Sequence, residues 1–278
     1  MPANSDNISK NQLVSEREIE QYQNDGVVCL RGVFDLEWIE KLKHATEEVL
    51  NQSIIDFNTE GGTGNFVGDL NVWQKNEVFR AFAFESPAWQ IAKTLMQSST
   101  VNLYGDQMFV KEPGTSTPSP WHHDQTYWPV VGDHVCSIWV PMDVVTRETS
   151  GLEYVRGSHR WGRRFDPADF GGASLEMFRD ASNEKIPDID ANREAYDLLS
   201  WDLEPGDCLV HHSLAVHGAG GNRSQKQRRR ALSVRWLGDD AYFEPKGPFT
   251  SDYVGLTPGD QITKFNTTMW PKVPSPDN

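Results

Sequence analysis

The 278-residue sequence is poor in cysteine and contains no long apolar run. Its three cysteines, Cys29, Cys136 and Cys208, stand far apart and include no closely spaced pair of the kind that binds zinc. Each lies in an apolar run, so we expect buried, reduced thiols in a reducing compartment.

Signals for secretion and for membrane insertion are also missing. Residues 1–12 are polar and lack the apolar core of a secretory signal. No apolar run approaches the ~20 residues that a membrane-spanning helix needs. We therefore expect a cytoplasmic protein with no membrane partner.

Positive charge is in deficit, because 26 basic residues stand against 40 acidic ones and the formal net charge is −14. An acidic protein repels phosphate backbones, so we expect no nucleic-acid partner. Hydrophobic residues make up 37% of the chain and aromatic residues 11%. This content is enough for a sizeable core and excludes a disordered chain.

Neither an internal repeat nor a low-complexity linker divides the sequence, so we predict a single domain over residues 1–278. The predicted parts are a disordered tail at 1–12, helices and strands over 13–99, a β-rich core over 100–240 with an insertion at 161–199, and a C-terminal extension at 241–278. The segments 51–75 and 161–199 carry no motif, and we expect them to form a lid.

Local signals predict individual elements within these parts. Ser15-Glu16-Arg17-Glu18 is a capping box that starts a helix ending near Asp25-Gly26. A second, amphipathic helix is predicted over Asp35–Leu50, with one apolar face formed by Leu36, Ile39, Leu42 and Val49. Strands are predicted at Gly26–Phe34, Val101–Lys111, His134–Asp143, Leu152–Val155, Asp207–Val216 and Arg229–Leu237. Such a series of short strands indicates a mainly β sandwich or barrel with flanking helices.

A metal site is suggested by the run Trp121-His122-His123-Asp124. If this run is a strand, His122 and Asp124 point to one face, because alternate side chains of a strand do so. The second histidine-rich run, 210–218, can supply a third ligand. Two histidines and one carboxylate leave three positions of an octahedral metal open, which is typical of non-haem iron(II) oxygenases.

An arginine-rich strand follows the second histidine run. Its period of two groups Arg229, Ser233 and Arg235 on one face. A planar, permanently charged guanidinium such as that of Arg229, with a serine hydroxyl beside it, suits the far carboxylate of 2-oxoglutarate. For Arg228 and Arg230 we favour a solvated surface, although a one-residue shift among the three arginines remains open.

With these residues in hand, the chain resembles the phytanoyl-CoA dioxygenase family of iron(II)- and 2-oxoglutarate-dependent oxygenases. The resemblance covers roughly residues 100–237, and its ordered motifs are QMFVKEPG at 107–114, WHHDQTYW at 121–128, SIWVPMD at 137–143, GLEYVRGSH at 151–159, PGD at 205–207, HGAGGNRS at 217–224 and RRALS at 229–233. The resemblance implies a double-stranded β-helix, or cupin-like jelly roll, with the iron site at one mouth.

The same resemblance implies roles for individual residues. His122 and Asp124 match the family's paired metal ligands, and His217 matches its distal histidine. Arg229 matches the arginine that binds the 2-oxoglutarate carboxylate. The residues Trp139 and Gln107, with Ser233, are further candidates for contact with 2-oxoglutarate.

The substrate-binding residues are less marked in the sequence. Tyr127 and Trp128 follow the metal motif directly and are candidates for the substrate pocket wall. Arg156 stands where the family often has proline. Its cluster with Arg160, Arg163 and Arg164 favours a solvated face, and contact with an anionic substrate is the alternative. Of the extra histidines His159, His211 and His212, we expect one either to support the site or to belong to the core, and none to be a metal ligand.

These features together predict a dioxygenase that uses iron(II), 2-oxoglutarate and O2. It would hydroxylate an unactivated C–H bond of a small, polar or anionic metabolite, with release of succinate and CO2. One alternative is a cupin-like zinc or manganese isomerase or hydrolase, which would not need Arg229. Another is a non-catalytic sensor of the same fold, which would not need the three ligands. The oligomeric state is not encoded in any motif.

Overall fold

A computed structural model describes residues 13–52, 54–168, 170 and 175–273. The predicted tail at 1–12 lies outside this part of the chain. The α-helices are α1 Glu16–Asp25, α2 Leu36–Leu50, α3 Glu77–Glu85, α4 Ala88–Leu95 and α5 Ser251–Val254. The strands are β1 Val27–Leu30, β2 Ile55–Asp56, β3 Phe66–Leu70, β4 Asn102–Lys111, β5 Ser119–His122, β6 Val130–Val131, β7 Val135–Pro141, β8 Leu152–Val155, β9 Leu198–Ser200, β10 Cys208–His212, β11 His217–Ala219, β12 Arg229–Leu237 and β13 Tyr242–Phe243.

Helix α1 begins and ends as its sequence predicts. Ser15 accepts a hydrogen bond from the backbone N–H of Glu18, and the Glu18 side chain accepts one from the backbone of Ser15. Gly26 closes the helix in the left-handed region at φ 78°, which glycine tolerates best. The predicted apolar face of α2 is wrong at one position, since Leu36 is 64% exposed while Ile39, Leu42 and Val49 are buried. Leu36 is the first residue of its helix, where the chain has not yet turned onto the core.

Two antiparallel sheets form the body of the molecule. The larger has the strand order β1-β10-β7-β12-β4-β3-β2, and the smaller has the order β5-β11-β8-β9. This arrangement is the double-stranded β-helix expected from the resemblance, so the predicted fold class is confirmed.

Alternation along the strands gives the larger sheet two different faces. Leu232, Val234 and Trp236 of β12 join the main apolar core, which also contains residues of α2, α3 and α4. Arg229, Ser233 and Arg235 of the same strand line a cavity that residues of the smaller sheet also line. The period-two assignment made from the sequence therefore holds along β12.

Three predicted elements differ from the structure. The expected strand 207–216 is shorter, since β10 ends at His212 and a turn leads to β11. The run of the metal motif is not one strand, because β5 ends at His122 and a 3-10 turn begins at Asp124. Part of segment 51–75 is not lid but sheet, because β3 pairs with β4. Among the described residues no helix is both long enough and apolar enough to span a membrane.

Candidate active site

His122, Asp124 and His217 meet at one end of the cavity. His122, the last residue of β5, lies directly opposite His217, the first residue of β11. His123 between the motif residues is extended (φ −122°, ψ 147°), so the Asp124 side chain points to the same side as that of His122 even though the strand has ended. Asp124 Oδ1 lies 3.5 Å from His122 Nε2 and 3.9 Å from His217 Nε2. The three potential ligand atoms all lie within 4.8 Å of one another, which is close enough for one metal ion.

Backbone carbonyl groups fix the orientation of both imidazoles. His122 Nδ1 lies 2.7 Å from the carbonyl oxygen of Pro120, and His217 Nδ1 lies 2.9 Å from that of Ala215. A proton on each Nδ1 makes these contacts hydrogen bonds and leaves each Nε2 lone pair free for a metal. His123 turns to the opposite side, where its Nε2 accepts a hydrogen bond from the backbone of Phe165.

The second oxygen of Asp124 is held by the sheet behind it. Ser137 Oγ donates to Asp124 Oδ2 over 2.7 Å, and His211 Nε2 lies 3.2 Å from the same oxygen. Tyr154 OH in turn lies 3.1 Å from His211 Nδ1. These contacts occupy Oδ2 and direct Oδ1 toward the two histidines. Of the three extra histidines, His211 thus supports the site, while His159 and His212 make their contacts elsewhere.

Asp124 and His217 are held in the protonation states that metal binding needs. Burial favours a raised pKa for Asp124, but hydrogen bonds with His122 and His211 and the nearby His217 outweigh it and hold the pKa well below its usual value. Burial lowers the pKa of His217 well below its usual value, and His122 and His211 add to this effect. An ionised aspartate and a neutral imidazole are the ligating forms at neutral pH.

Arg229 provides a buried positive charge in the same cavity. Its side chain is 2% exposed, and its guanidinium lies over the ring of Trp139 at 5.7 Å. Nη2 donates to Ser150 Oγ over 3.2 Å, while Nε is buried without a partner. No carboxylate of the described residues lies within ion-pair distance. Burial lowers the pKa of Arg229 to about 10, so the group remains charged at neutral pH.

A second basic residue, Lys111, lies beside Arg229. Lys111 is fully buried and pairs in register with Arg229 across the β4–β12 ladder. Burial, and then the charge of Arg229, lowers the pKa of Lys111 well below its usual value. Its Nζ donates to the carbonyl oxygen of Gly220 over 2.8 Å. Lys111 therefore supplies no opposite charge, and the guanidinium needs one from a ligand.

The two arginines next to Arg229 in the sequence form ion pairs outside the cavity. Arg228 pairs with Glu47 and Glu112, and Arg230 pairs with Glu47 and Asp143. Neither lines the cavity. Of the three arginines, the structure thus brings only Arg229 to the site.

The cavity encloses about 690 Å³ and has largely aromatic walls. The sequence-predicted residues Gln107, Tyr127, Trp128, Trp139 and Ser233 all line it. Phe170 and Phe178 of the insertion line it too, in agreement with a covering role for that segment. Three groups of lining residues had no sequence signal, namely Tyr104 and Gly105 of β4, Asn71 and Gln74 of the turn after β3, and Phe249, Tyr253, Thr268, Met269 and Trp270 of the C-terminal extension.

Arg156, a candidate for substrate contact, lies outside the cavity lining. Its Nη1 pairs with Asp25 at 3.0 Å and its Nε with Asp197 at 2.7 Å. The side chain is thereby held at the surface between α1 and the end of the insertion. Besides Arg229, the cavity lining includes Arg235, whose only sequence signal was its place on the same strand face as Arg229.

A β-helix of two antiparallel sheets, with two histidines and an aspartate converging in a large cavity, defines a metal-dependent enzyme of the cupin-like class. The chain belongs to the phytanoyl-CoA dioxygenase family, whose model matches residues 22–231. Members of this family depend on iron(II) and 2-oxoglutarate and use O2. The resemblance read from the sequence is thus confirmed.

Individual relatives are distant. A probable phytanoyl-CoA dioxygenase of Caenorhabditis elegans is 29% identical over 122 residues, 44% of this chain and 36% of the relative. The chain thus matches only about a third of that relative's length. A 1-deoxypentalenic acid 11-beta-hydroxylase of Streptomyces arenae is 26% identical over 224 residues, 70% of this chain and 71% of the relative.

A solved structure shares nearly the whole fold. The non-heme alpha ketoglutarate dependent carbocyclase SnoK from nogalamycin biosynthesis superposes with a TM-score of 0.74 at 24% identity, covering 94% of this chain and 97% of that one. At this identity the likeness shows the fold.

Proposed function

We propose that this chain hydroxylates an unactivated C–H bond of a small molecule bound in the cavity. One atom of O2 enters the product, and the other enters succinate as 2-oxoglutarate loses CO2. The observation that carries the proposal is that the His122–Asp124–His217 triad and a guanidinium without an ion-pair partner, Arg229, line one cavity.

The donor set fits iron(II). Nε2 of His122, Nε2 of His217 and Oδ1 of Asp124 would occupy one face of the ion and leave the other open. Iron bound there supplies the redox chemistry that zinc, which has no accessible second oxidation state, does not. The backbone carbonyl groups and Ser137 hold the ligands in position.

The other end of the co-substrate would be bound by Arg229. Its free Nε and its Nη atoms offer donors to a carboxylate. Ser233 lies on the same face of β12, four positions after Arg229 and two before Arg235, and also lines the cavity. Trp139 and Gln107 line the same cavity, and Trp139 lies under the guanidinium. A zinc or manganese isomerase or hydrolase would have no use for this buried charge, so Arg229 favours the oxygenase over that alternative. The three metal ligands in turn favour the oxygenase over a non-catalytic sensor.

The aromatic walls separate the reaction from bulk water and contribute apolar area for a substrate. Tyr127 and Phe170 both pack against His122, with ring centroids 6.0 and 4.9 Å away. Residues on this side would place a substrate C–H bond next to the open face of the metal. A cavity of about 690 Å³ is in the range of sites for drug-sized ligands, well above what the co-substrate alone needs.

The test is to add iron(II) and 2-oxoglutarate to the purified chain. Without oxygen, we expect the visible charge-transfer absorption of an iron–2-oxoglutarate chelate, and with oxygen we expect succinate. His122→Ala should lose both. Absence of chelate absorption and of succinate from the wild-type chain, with another activity supported by zinc or manganese, would establish the isomerase or hydrolase instead. Once a substrate is known, a product that gains no oxygen atom would overturn hydroxylation alone.

A further inference from the structure

A second guanidinium, that of Arg235, lies in the cavity away from Arg229. The two residues are six positions apart on the same face of β12, so their backbones are separated by ~20 Å at the rise of a β-strand. Arg229 contacts Ser150 and Trp139, whereas Arg235 contacts Gln107 and Trp128. They therefore serve different regions of the cavity.

Arg235 is buried and forms no ion pair with any of the described residues. The residue is 8% exposed, and no carboxylate of the described residues lies within ion-pair distance of it. Nη2 donates to the neutral amide oxygen of Gln107 over 2.5 Å, and the guanidinium lies over the Trp128 ring at 5.4 Å. Nε is buried with no hydrogen-bond partner.

The carboxyl of Asp106 is near enough to interact electrostatically with Arg235, which acts against burial on the pKa of Asp106, but the two groups form no ion pair. Asp106 of β4 lies opposite Val234 and is fully buried, where both its oxygens accept from the backbone N–H of Trp73. Arginines of this chain that have a structural role look different, since Arg230 on the same strand makes ion pairs with Asp143 and Glu47. A buried cation with an unused donor destabilises the protein unless a ligand compensates it.

The residues around Arg235 indicate the chemistry of the rest of such a ligand. Tyr104 stacks on Trp270 with ring centroids 5.6 Å apart and packs against Trp128 at 4.8 Å. Phe249 and Met269 complete this part of the lining. Apart from the triad, Arg229 and Arg235, the only charged residue among the described lining is Asp56, which is exposed. The region thus suits an apolar ring framework that carries a single anionic group.

We propose that Arg235 is the substrate-recognition residue, and that it binds a carboxylate on a substrate whose apolar ring framework packs against Tyr104, Trp128 and Trp270. This inference rests on the proposed function, in which Arg229 binds the co-substrate. A carboxylate anchored at Arg235 fixes how the ring framework lies over the metal, and so selects which C–H bond reacts. The substrate then resembles a polycyclic or aromatic carboxylic acid more than a small polar metabolite.

The experiment compares matched probes on the iron(II)–2-oxoglutarate complex without oxygen. Naphthalene-1-acetic acid and its amide have nearly the same shape, but the amide lacks the negative charge and one acceptor oxygen. The same holds for a fused tricyclic acid such as dehydroabietic acid and its amide. We expect the wild-type chain to bind the acids at least about 30-fold more tightly than the amides, the loss typical of one broken buried charge pair. Arg235→Gln should abolish this preference and Arg235→Lys should retain part of it. Arg230→Gln, on the opposite face of the strand, should leave it unchanged.

Three results would overturn the proposal. The wild-type chain could fail to prefer the acids, or the preference could survive in Arg235→Gln. Alternatively, Arg235→Gln could weaken 2-oxoglutarate binding tenfold or more, which would assign Arg235 to the co-substrate. The charge-transfer absorption of the chelate separates this test from that of the proposed function: its absence from the wild-type chain refutes the oxygenase, whereas its retention in Arg235→Gln shows that only recognition has changed.

The melting temperature of Arg235→Gln is the control that shows whether this variant is folded. Because Arg235 forms no ion pair with the described residues, we expect Arg235→Gln to melt at or above the temperature of the wild-type chain, as is common for residues kept for function. If Arg235→Gln melts at a lower temperature than the wild-type chain and has lost the preference for acids, Arg235 has a structural role, provided that Arg235→Lys has lost the preference as well.

Discussion

At the residue scale, most of the metal site was predictable because it lies in two short motifs. His122 and Asp124 are separated by one residue, and His217 begins a strand that pairs with His122. The interaction of Ser137 with Asp124 was not predictable, because it depends on β7 crossing behind a turn. The ion pairs of Arg156 were not predictable for a similar reason, since its two acidic partners are distant in sequence.

Ser137 gives a test of how the site holds its aspartate. Ser137→Ala removes the 2.7 Å hydrogen bond to Asp124 Oδ2 and leaves that oxygen to His211 alone. We expect iron(II) affinity, measured by titration without oxygen, to fall about tenfold, as is usual when a partner of a metal ligand is removed. Ser116→Ala, in a loop away from the triad, should bind iron as the wild-type chain does. Equal affinity of the two variants would show that Ser137 does not orient Asp124.

The buried carboxyl group of Asp106 makes the stability of the folded chain depend on pH. Burial raises the pKa of Asp106 to about 7, above the value of about 4 in an unfolded chain. The folded state therefore holds this proton more tightly, so its contribution to stability is present below pH ~4 and is lost as the pH rises to about 7. In Asp106→Asn this contribution to the pH dependence is absent. Melting temperatures at pH 5 and pH 8 should differ less in the variant than in the wild-type chain, and an unchanged difference would contradict the assignment.

At the scale of elements, strands with regular alternation were predicted best. β8 and β12 have the predicted bounds, because apolar and polar residues alternate up to a turn at each end. The C-terminal extension was not recognised as a cavity wall. Its lining residues are spread over a segment of short turns, where no period reveals which side chains point inward.

Trp270 tests the structural role of that extension. It is 1% exposed, stacks on Tyr104 and lies 6.1 Å from the ring of Phe243. We expect Trp270→Ala to lower the free energy of unfolding by about 3 kcal/mol, the lower end of the range for a buried aromatic residue, because one side of the ring faces the cavity. Tyr253→Ala, at a residue 65% exposed, should change stability little. Denaturant unfolding measures both, and equal stability would mean that the extension packs loosely.

At the scale of the whole molecule, a net charge of −14 contrasts with the two guanidiniums of the cavity. The predicted exclusion of nucleic acid came from the total charge, but the anion-binding character of the interior could not be read from it. Burial and pairing decide which arginines stay without a partner, and both are properties of the finished fold.

Metal and co-substrate should stabilise the folded chain together. Manganese is a redox-stable substitute for iron. In the proposed function 2-oxoglutarate chelates the metal and pairs with Arg229, so we expect it to bind only where both are present. At about 100 times its dissociation constant, a ligand stabilises by roughly 2.7 kcal/mol, which corresponds to a rise of about 5 °C or more in melting temperature. We expect 2-oxoglutarate without metal to give little shift. Arg229→Gln should keep the shift with manganese alone and lose the additional shift with 2-oxoglutarate; a full additional shift in that variant would contradict the role of Arg229.

The pairing of His122 with His217 across the smaller sheet also affects when the protein can acquire its metal. The two strands are distant in the chain, so a polypeptide still being synthesised has the first histidine and the aspartate but not the imidazole that completes the set. High-affinity iron uptake must then follow closure of this sheet, which keeps a reactive ion away from an unfinished chain. Refolding at equal rates with and without manganese would be the kinetic signature of such late loading.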